Sequence, residues 1–171
     1  MSDAADAVAA IRKGKLVVIP TDTVYGLACT PFRPEPVAAL AELKRRPREQ
    51  PIALVAASVE RLLECIPELG GPWAAIARDL LPGPYTLVVP NPAARFPWLT
   101  GDRPDAIGVR VPELSGASAD VLEEVRAVAA RPSDVDRRLV AGDESLVAVD
   151  PLVRDERDLR RVPEQARHVR L

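Results

Sequence analysis

Eighteen of the 171 residues are proline, and their placement limits the architecture more than any other feature. Proline lacks a backbone donor and ends helices and interior strands, so the chain is cut into short elements rather than a few long helices. The apolar run Leu16–Ile19 meets Pro20, and "PIALVAA" (51–57), "YTLVVP" (85–90) and "AIGVRVP" (106–112) are bounded in the same way. Each reads as a strand, and the continuous run at 16–19 as one buried on both faces. Helical patterns lie between them. Ala5, Val8, Ala9 and Ile11 share helical spacing over 3–13, with Gly14 placed to end the helix. Val37, Leu40, Ala41 and Leu43 give 35–46 an inward face, with Pro47 as the expected stop. Ser58 is placed to cap a helix through Leu63, and 72–81 predicts another ending at Pro82–Pro84. Ser118 is a further candidate cap, for a helix carrying Val121, Leu122 and Val125. "AVAA" (127–130) and "LVAVD" (146–150) are shorter strand candidates. Strands separated by helices predict an α/β fold, a twisted mixed β-sheet flanked by helices. No repeat or flexible linker marks a boundary, so residues 1–171 are expected to form one domain.

An apolar content of 47% suffices for a core at this length. No apolar run approaches the roughly 18 residues that a membrane span needs, and the N-terminus carries no signal-peptide pattern. The expectation is a cytoplasmic protein with no membrane partner. Cys29 and Cys65 read as reduced core residues. A net charge of −2 exerts no general pull on nucleic acid. Charge is uneven, however. "LKRRPR" (43–48) packs four cations into six residues, whereas residues 131–171 set nine arginines against nine Asp and Glu. The latter composition reads as a salt-bridged surface or a loose tail.

The chemistry available is narrow. The one histidine, His168, lies near the C-terminal end of the sequence, and no Cys cluster accompanies it, which argues against His-based proton transfer or a zinc site. Neither glycine-rich phosphate loop is present, so phosphate chemistry would rest on Lys and Arg side chains. Lys44 and Arg46, in the last turn of the predicted helix, can reach past its end; they can equally serve as favourable charges at a helix C-terminus. Arg110 interrupts an apolar strand and must find either a structural ion-pair partner or a ligand carboxylate. "TDT" (21–23), directly after a strand, reads as a turn or cap by itself. It also occupies a strand-end loop, where ligands of α/β folds are commonly bound.

Taken in order, "PTDTVYGLACT", "LKRRPREQPIAL", "LPGPYTLVVP" and "IGVRVP" resemble the motifs of the YrdC/Sua5 family, the L-threonylcarbamoyladenylate synthases of tRNA modification. The match covers about residues 5–112 and is closer to the single-domain YrdC form. The resemblance implies a nucleotidyltransferase with a YrdC-like fold that makes threonylcarbamoyl-AMP and pyrophosphate from L-threonine, bicarbonate and ATP. It implies magnesium with the ATP, and product use in t6A modification of tRNA, with tRNA or t6A-transfer proteins as possible partners. By motif, Thr21 and Thr23 would line the threonine pocket and Tyr25 support its wall. Lys44 and Arg46 would act on the ATP phosphates, Arg110 would take the threonine carboxylate, and Thr86 would shape the same cavity.

The chain departs from the family pattern in its last third. The family's S-x-N motif has no counterpart, because Asn91 is the sole asparagine. Ser133 stands nearest to the motif's serine, followed by Asp134, whose charge opposes a triphosphate. "GDESLVAVD" (142–150) echoes a later family strand, with Ser145 in the place of its serine. An alternative reading is therefore a catalytically impaired homologue that binds nucleotide or RNA. A weaker one is a relative of the carbamoyltransferases that contain the same domain.

Overall fold

The computed structural model describes residues 3–19, 21–22, 25–114 and 146–153, the first three and the last eight of these by their backbone alone. The predicted sites at Thr23, Ser133 and Ser145, the helix after Ser118 and the strand at 127–130 lie outside them. Chain order gives α1 (Asp3–Arg12), β1 (Val17–Ile19), β2 (Tyr25–Cys29), α2 (Pro34–Leu43), β3 (Ala53–Ala56) and α3 (Val59–Cys65). A 3₁₀ turn (Pro67–Leu69) follows, then α4 (Pro72–Leu80), β4 (Leu87–Pro90), β5 (Ala106–Arg110) and β6 (Leu146–Val153). The six strands form one sheet in the order β1-β2-β6-β3-β5-β4. β3 and β5 run parallel and the other pairs are antiparallel, so the sheet is mixed, as expected.

β6 joins the sheet together. It pairs with β2 on one side and β3 on the other, so the β1–β2 pair and the β3–β5–β4 group are linked through it. It extends past the predicted "LVAVD" to Val153, through Pro151. Pro151 lies opposite Gly26, where the register with β2 shifts. An irregularity of this kind is where a sheet tolerates a residue with no N–H. β2 itself has no counterpart in the sequence reading, which placed "TDT" (21–23) in a strand-end loop and assigned no element to the residues that follow it. Its pattern of one exposed and four buried positions lacks the alternation that marks a strand.

Side-chain alternation gives the sheet two covered faces. On one, Ala7, Val8 and Ile11 of α1 meet Val17, Ile19, Ala28 and Val55. The helix is rotated slightly from the predicted phase, because Ala7 is buried while Ala9 is exposed. On the other face, Val37 and Leu40 of α2, Leu62 of α3 and Ala77 of α4 pack over Val18, Leu27, Leu54 and Val109. Each large side chain removed from water there contributes roughly 1.5–3 kcal/mol. β1 is an edge strand, yet it is buried on both faces because α1 and the larger core each claim alternate residues.

α2 ends three residues before the predicted boundary, for a conformational reason. Lys44 is its C-cap, Arg45 adopts φ +53°, and Arg46 N–H donates to Ala41 O at 3.0 Å while Arg45 N–H donates to Glu42 O at 2.9 Å. This is a Schellman closure, so the helix stops at the left-handed residue and not at Pro47. The end of α1 closes alike, with Lys15 N–H donating to Ala10 O, but there Gly14 takes the left-handed position.

The loop between β4 and β5 braces the chain on either side of α2. Trp98 Nε1 donates to Pro31 O at 2.7 Å, and the Phe32 and Phe96 rings meet edge to face. Asn91 Nδ2 donates to Arg95 O and Pro104 O while its Oδ1 accepts from Arg95 N–H, so this asparagine is spent on the loop. Beyond α2, Ile52 N–H donates to Leu99 O at 2.9 Å.

Candidate functional site

Arg110 closes β5, level with Val55 of β3. Val55 packs on the α1 face, so Arg110 and Gly108, two residues earlier, look to that same face. Val109 between them faces the larger core. Thus the sheet carries a cation on the face against which α1 packs its apolar residues. Arg110 pairs through Nη2 with Asp22 Oδ1, and the two side chains are only 13% and 11% exposed. Glu113 N–H also donates to Asp22 Oδ2, at 3.4 Å. Of the two fates open to Arg110 from the sequence, the ion pair is present. Asp22 lies in the turn between β1 and β2, whereas β6 and β3 separate β2 from β5. The contact therefore unites segments that are not sheet neighbours.

Small residues lie beside this pair. Gly108 is level with Ala53 of β3, and a methyl group added at Gly108 would meet Thr86 Cγ2 at 3.4 Å and Ala53 Cα at 3.9 Å. Thr86 thus overlies the floor next to Arg110, at the end of "LPGPYT". That stretch is tied to β5 by Gly83 N–H donating to Val111 O at 2.9 Å. Thr21 adjoins Asp22 and is half-buried, and Tyr25 opens β2 with its ring partly exposed. The structure accordingly brings Thr21, Asp22, Arg110 and Thr86 to one region. Asp22, Gly108 and Ala53 were not singled out from sequence. Gly108 did carry a signal, since an isolated glycine within a strand commonly marks a close approach.

Lys44 and Arg46 stand elsewhere in the chain's logic, at the closed C-terminal end of α2, both half-buried. A helix C-terminus presents partial negative charge and repels anions. Lys44, Arg45, Arg46 and Arg48 reverse that local sign, and their side chains suit phosphate oxygens. Among the described residues, no group of three or more His, Cys, Asp or Glu is placed to hold a metal ion. No helix among them is long and apolar enough to cross a membrane. Both cysteines are free thiols, Cys29 buried and Cys65 partly so. Burial pushes the Cys29 thiol up to about 12, so it stays protonated and inert near neutrality.

Comparison with known proteins extends these observations. Residues 9–135 match the Sua5/YciO/YrdC family model, whose description reads "Telomere recombination". A threonylcarbamoyl-AMP synthase of Halorhodospira halophila is 38% identical over 105 residues, covering 61% of this chain and 54% of that protein. The chain thus spans about half the length of the curated relatives it matches. The structure of P. abyssi Sua5 complexed with L-threonine superposes with a TM-score of 0.58 at 28% identity, over 88% of this chain and 39% of that one. E. coli YciO shares the fold, with a TM-score of 0.67 at 19% identity over 96% of this chain and 74% of its own.

Proposed function

The chain belongs to the Sua5/YciO/YrdC family, and we propose that it acts as an L-threonylcarbamoyladenylate synthase. The reaction would join L-threonine, bicarbonate and ATP to give threonylcarbamoyl-AMP and pyrophosphate, with the product passing to t6A modification of tRNA in the cytoplasm. One observation carries the reading. The chain closes Asp22 of the "TDT" turn onto Arg110, beside the floor made by Ala53 and Gly108 and under Thr86.

Such a reaction needs little proton transfer from the protein. The carbamate of threonine attacks the α-phosphorus, and the pyrophosphate leaves with its charge screened. Positioning and electrostatic stabilisation supply most of the acceleration in phosphoryl-group chemistry. In this chain Arg110 would hold the threonine carboxylate, with Thr21 and Thr23 on the hydroxyl side and Tyr25 at the wall. Thr86 would shape the pocket. Lys44 and Arg46 would draw negative charge from the polyphosphate during departure, and Ser133 and Ser145 would complete the nucleotide and substrate contacts. The described residues do not offer a protein-built cage for magnesium, which would accompany ATP as its phosphate complex.

The test incubates the protein with ATP, labelled bicarbonate and L-threonine. Threonine-dependent pyrophosphate, lost on Lys44→Ala and Arg46→Ala, supports the synthase; its absence in the unaltered protein refutes it. A second reading, a homologue that binds nucleotide or RNA without synthesis, is favoured by a specific fact. The single asparagine, Asn91, is committed to its own loop and supplies no S-x-N motif. Under that reading the protein binds ATP or tRNA and releases no pyrophosphate, and tRNA binding weakens steeply with salt.

A further inference from the structure

α4 buries its small side chains and exposes its large ones. Ala74 and Ala77 face the core, while Trp73, Ile76 and Leu80 remain 42%, 43% and 44% exposed. Those three follow helical spacing and form one stripe along the water-facing side. Tyr85, 58% exposed, stands at the C-terminal end of the stripe: a methyl group at Gly83 would meet Leu80 O at 3.2 Å and the Tyr85 ring at 3.4 Å. Single exposed apolar residues are ordinary, whereas large ones aligned on one helix mark a contact surface. The border of the stripe bears on what covers it. α3 and the 3₁₀ turn lie beside α4, and their charges are matched within the chain: Arg78 with Glu60 at 4.0 Å, Arg61 with Glu64, and Arg95 with Glu68 at 2.8 Å. α4 itself carries one cation and one anion, Arg78 and Asp79. A border so balanced neither draws a strongly charged partner nor repels a surface like itself. The stripe is also nearly symmetrical. Reversing the helix carries Trp73 to about the place of Leu80 and leaves Ile76 near the middle, so the surface suits a reversed copy of itself.

We propose that the Trp73–Ile76–Leu80 face of α4, with Tyr85 at its end, is the surface through which two copies of this chain pair. The two helices cross antiparallel about a two-fold axis near Ile76, which also sets their dipoles head to tail. The four side chains expose on the order of 400 Å² per copy. That is about half of the roughly 800 Å² that a standard interface buries on each partner. The polar border supplies the rest, and the dimer is a weak one, with a dissociation constant on the order of micromolar. Ala77 packs in the core on the sheet face opposite to the one that Arg110 occupies. The contact and the Arg110 site are therefore on different faces, and the inference does not depend on the synthase reading.

Sedimentation velocity on the full chain, from low to high micromolar concentration, tests the pairing. A reversible dimer whose share rises with concentration is expected. Ile76→Asp sets two like charges against each other at the two-fold axis and should weaken association by about a hundredfold. Ile76→Lys should do the same. Mixed in equal amounts, the two variants bring opposite charges together, and association should return, which misfolded variants would not show. Because Ile76 is exposed, thermal unfolding of each variant should stay close to that of the unaltered protein. A monomer at every concentration overturns the proposal, whatever else covers the stripe. A dimer that Ile76→Asp leaves intact, or a mixture no more associated than either variant alone, puts the contact elsewhere and overturns it as well.

Discussion

Gly101→Ala tests how the basic segment after α2 is held. Gly101 sits at φ +57°, and a methyl group there would lie 1.9 Å from Glu49 O, 2.7 Å from Glu49 C and 3.3 Å from Pro51 N. These are main-chain atoms, so no side-chain rotation relieves the overlap. The adjoining Ile52–Leu99 hydrogen bond ties the same two segments together. A left-handed L-residue costs roughly 1–2 kcal/mol, and displacing packed backbone adds roughly 1–3 kcal/mol. Loss of glycine's freedom in the unfolded chain returns about 0.4–1 kcal/mol. The net is a destabilisation of about 3 kcal/mol. At this chain length that lowers Tm by on the order of 6–12 °C. Gly71→Ala is the control, because Gly71 also has a positive φ, +64°, but nothing lies within 4 Å of the added methyl. It should lose only the conformational part, about 1 kcal/mol. Urea unfolding followed by circular dichroism measures both. Equal stabilities for the two variants would refute the overlap as the cause. Because Glu49 follows Arg46 and Arg48, the Gly101 variant should also bind ATP less tightly while threonine affinity changes little.

Three further outcomes can be measured on the same material. Arg45→Gly, at the left-handed C-terminal position of α2, should raise stability by about 0.5–1 kcal/mol in urea titrations, since glycine adopts that φ without steric cost. Leu54→Ala, fully buried in β3, should cost about 2–5 kcal/mol through lost burial and an unfilled cavity. Cys29 makes stability fall at alkaline pH: its folded thiol is pushed up to about 12, so unfolding releases a proton once pH exceeds the ordinary thiol range near 8.5. Stability from this group is complete below that range and declines by about 1.4 kcal/mol per pH unit up to about 12. The Cys29→Ala variant should lose that slope in urea unfolding at pH 8 to 10, and a slope that persists unchanged would assign it to other groups.

The fold was legible where apolar runs were long or sharply bounded. Leu16–Ile19, Pro51–Ala57, Tyr85–Pro90 and Ala106–Pro112 each contain an observed strand, and Ser58 accepts from Arg61 N–H as the cap of α3. β2 was not legible, because Tyr25–Cys29 lacks alternation and follows a polar turn that dominates the local pattern. The end of α2 was misplaced because Pro47 is a conspicuous stop signal in sequence, whereas an arginine in a left-handed conformation has none. For the candidate site, Arg110 was conspicuous as a charge in an apolar strand. Its partner was not, since Asp22 has no sequence proximity to it and an Asp in a turn has ordinary local uses.

Local chemistry alone determined that this chain would be cut into short strands and helices, that residues 43–48 would be cationic, and that little in it supports a His-dependent mechanism. Those properties depend on residue type and near-neighbour spacing, which periodicity, proline and glycine express directly. Tertiary structure decided which face each strand turned to α1, that β6 would link the two parts of the sheet, and that Asp22 would meet Arg110 across strands that are not neighbours. These depend on strand order and register, which are set by the joint burial of many side chains distant in sequence. A short stretch carries no record of them.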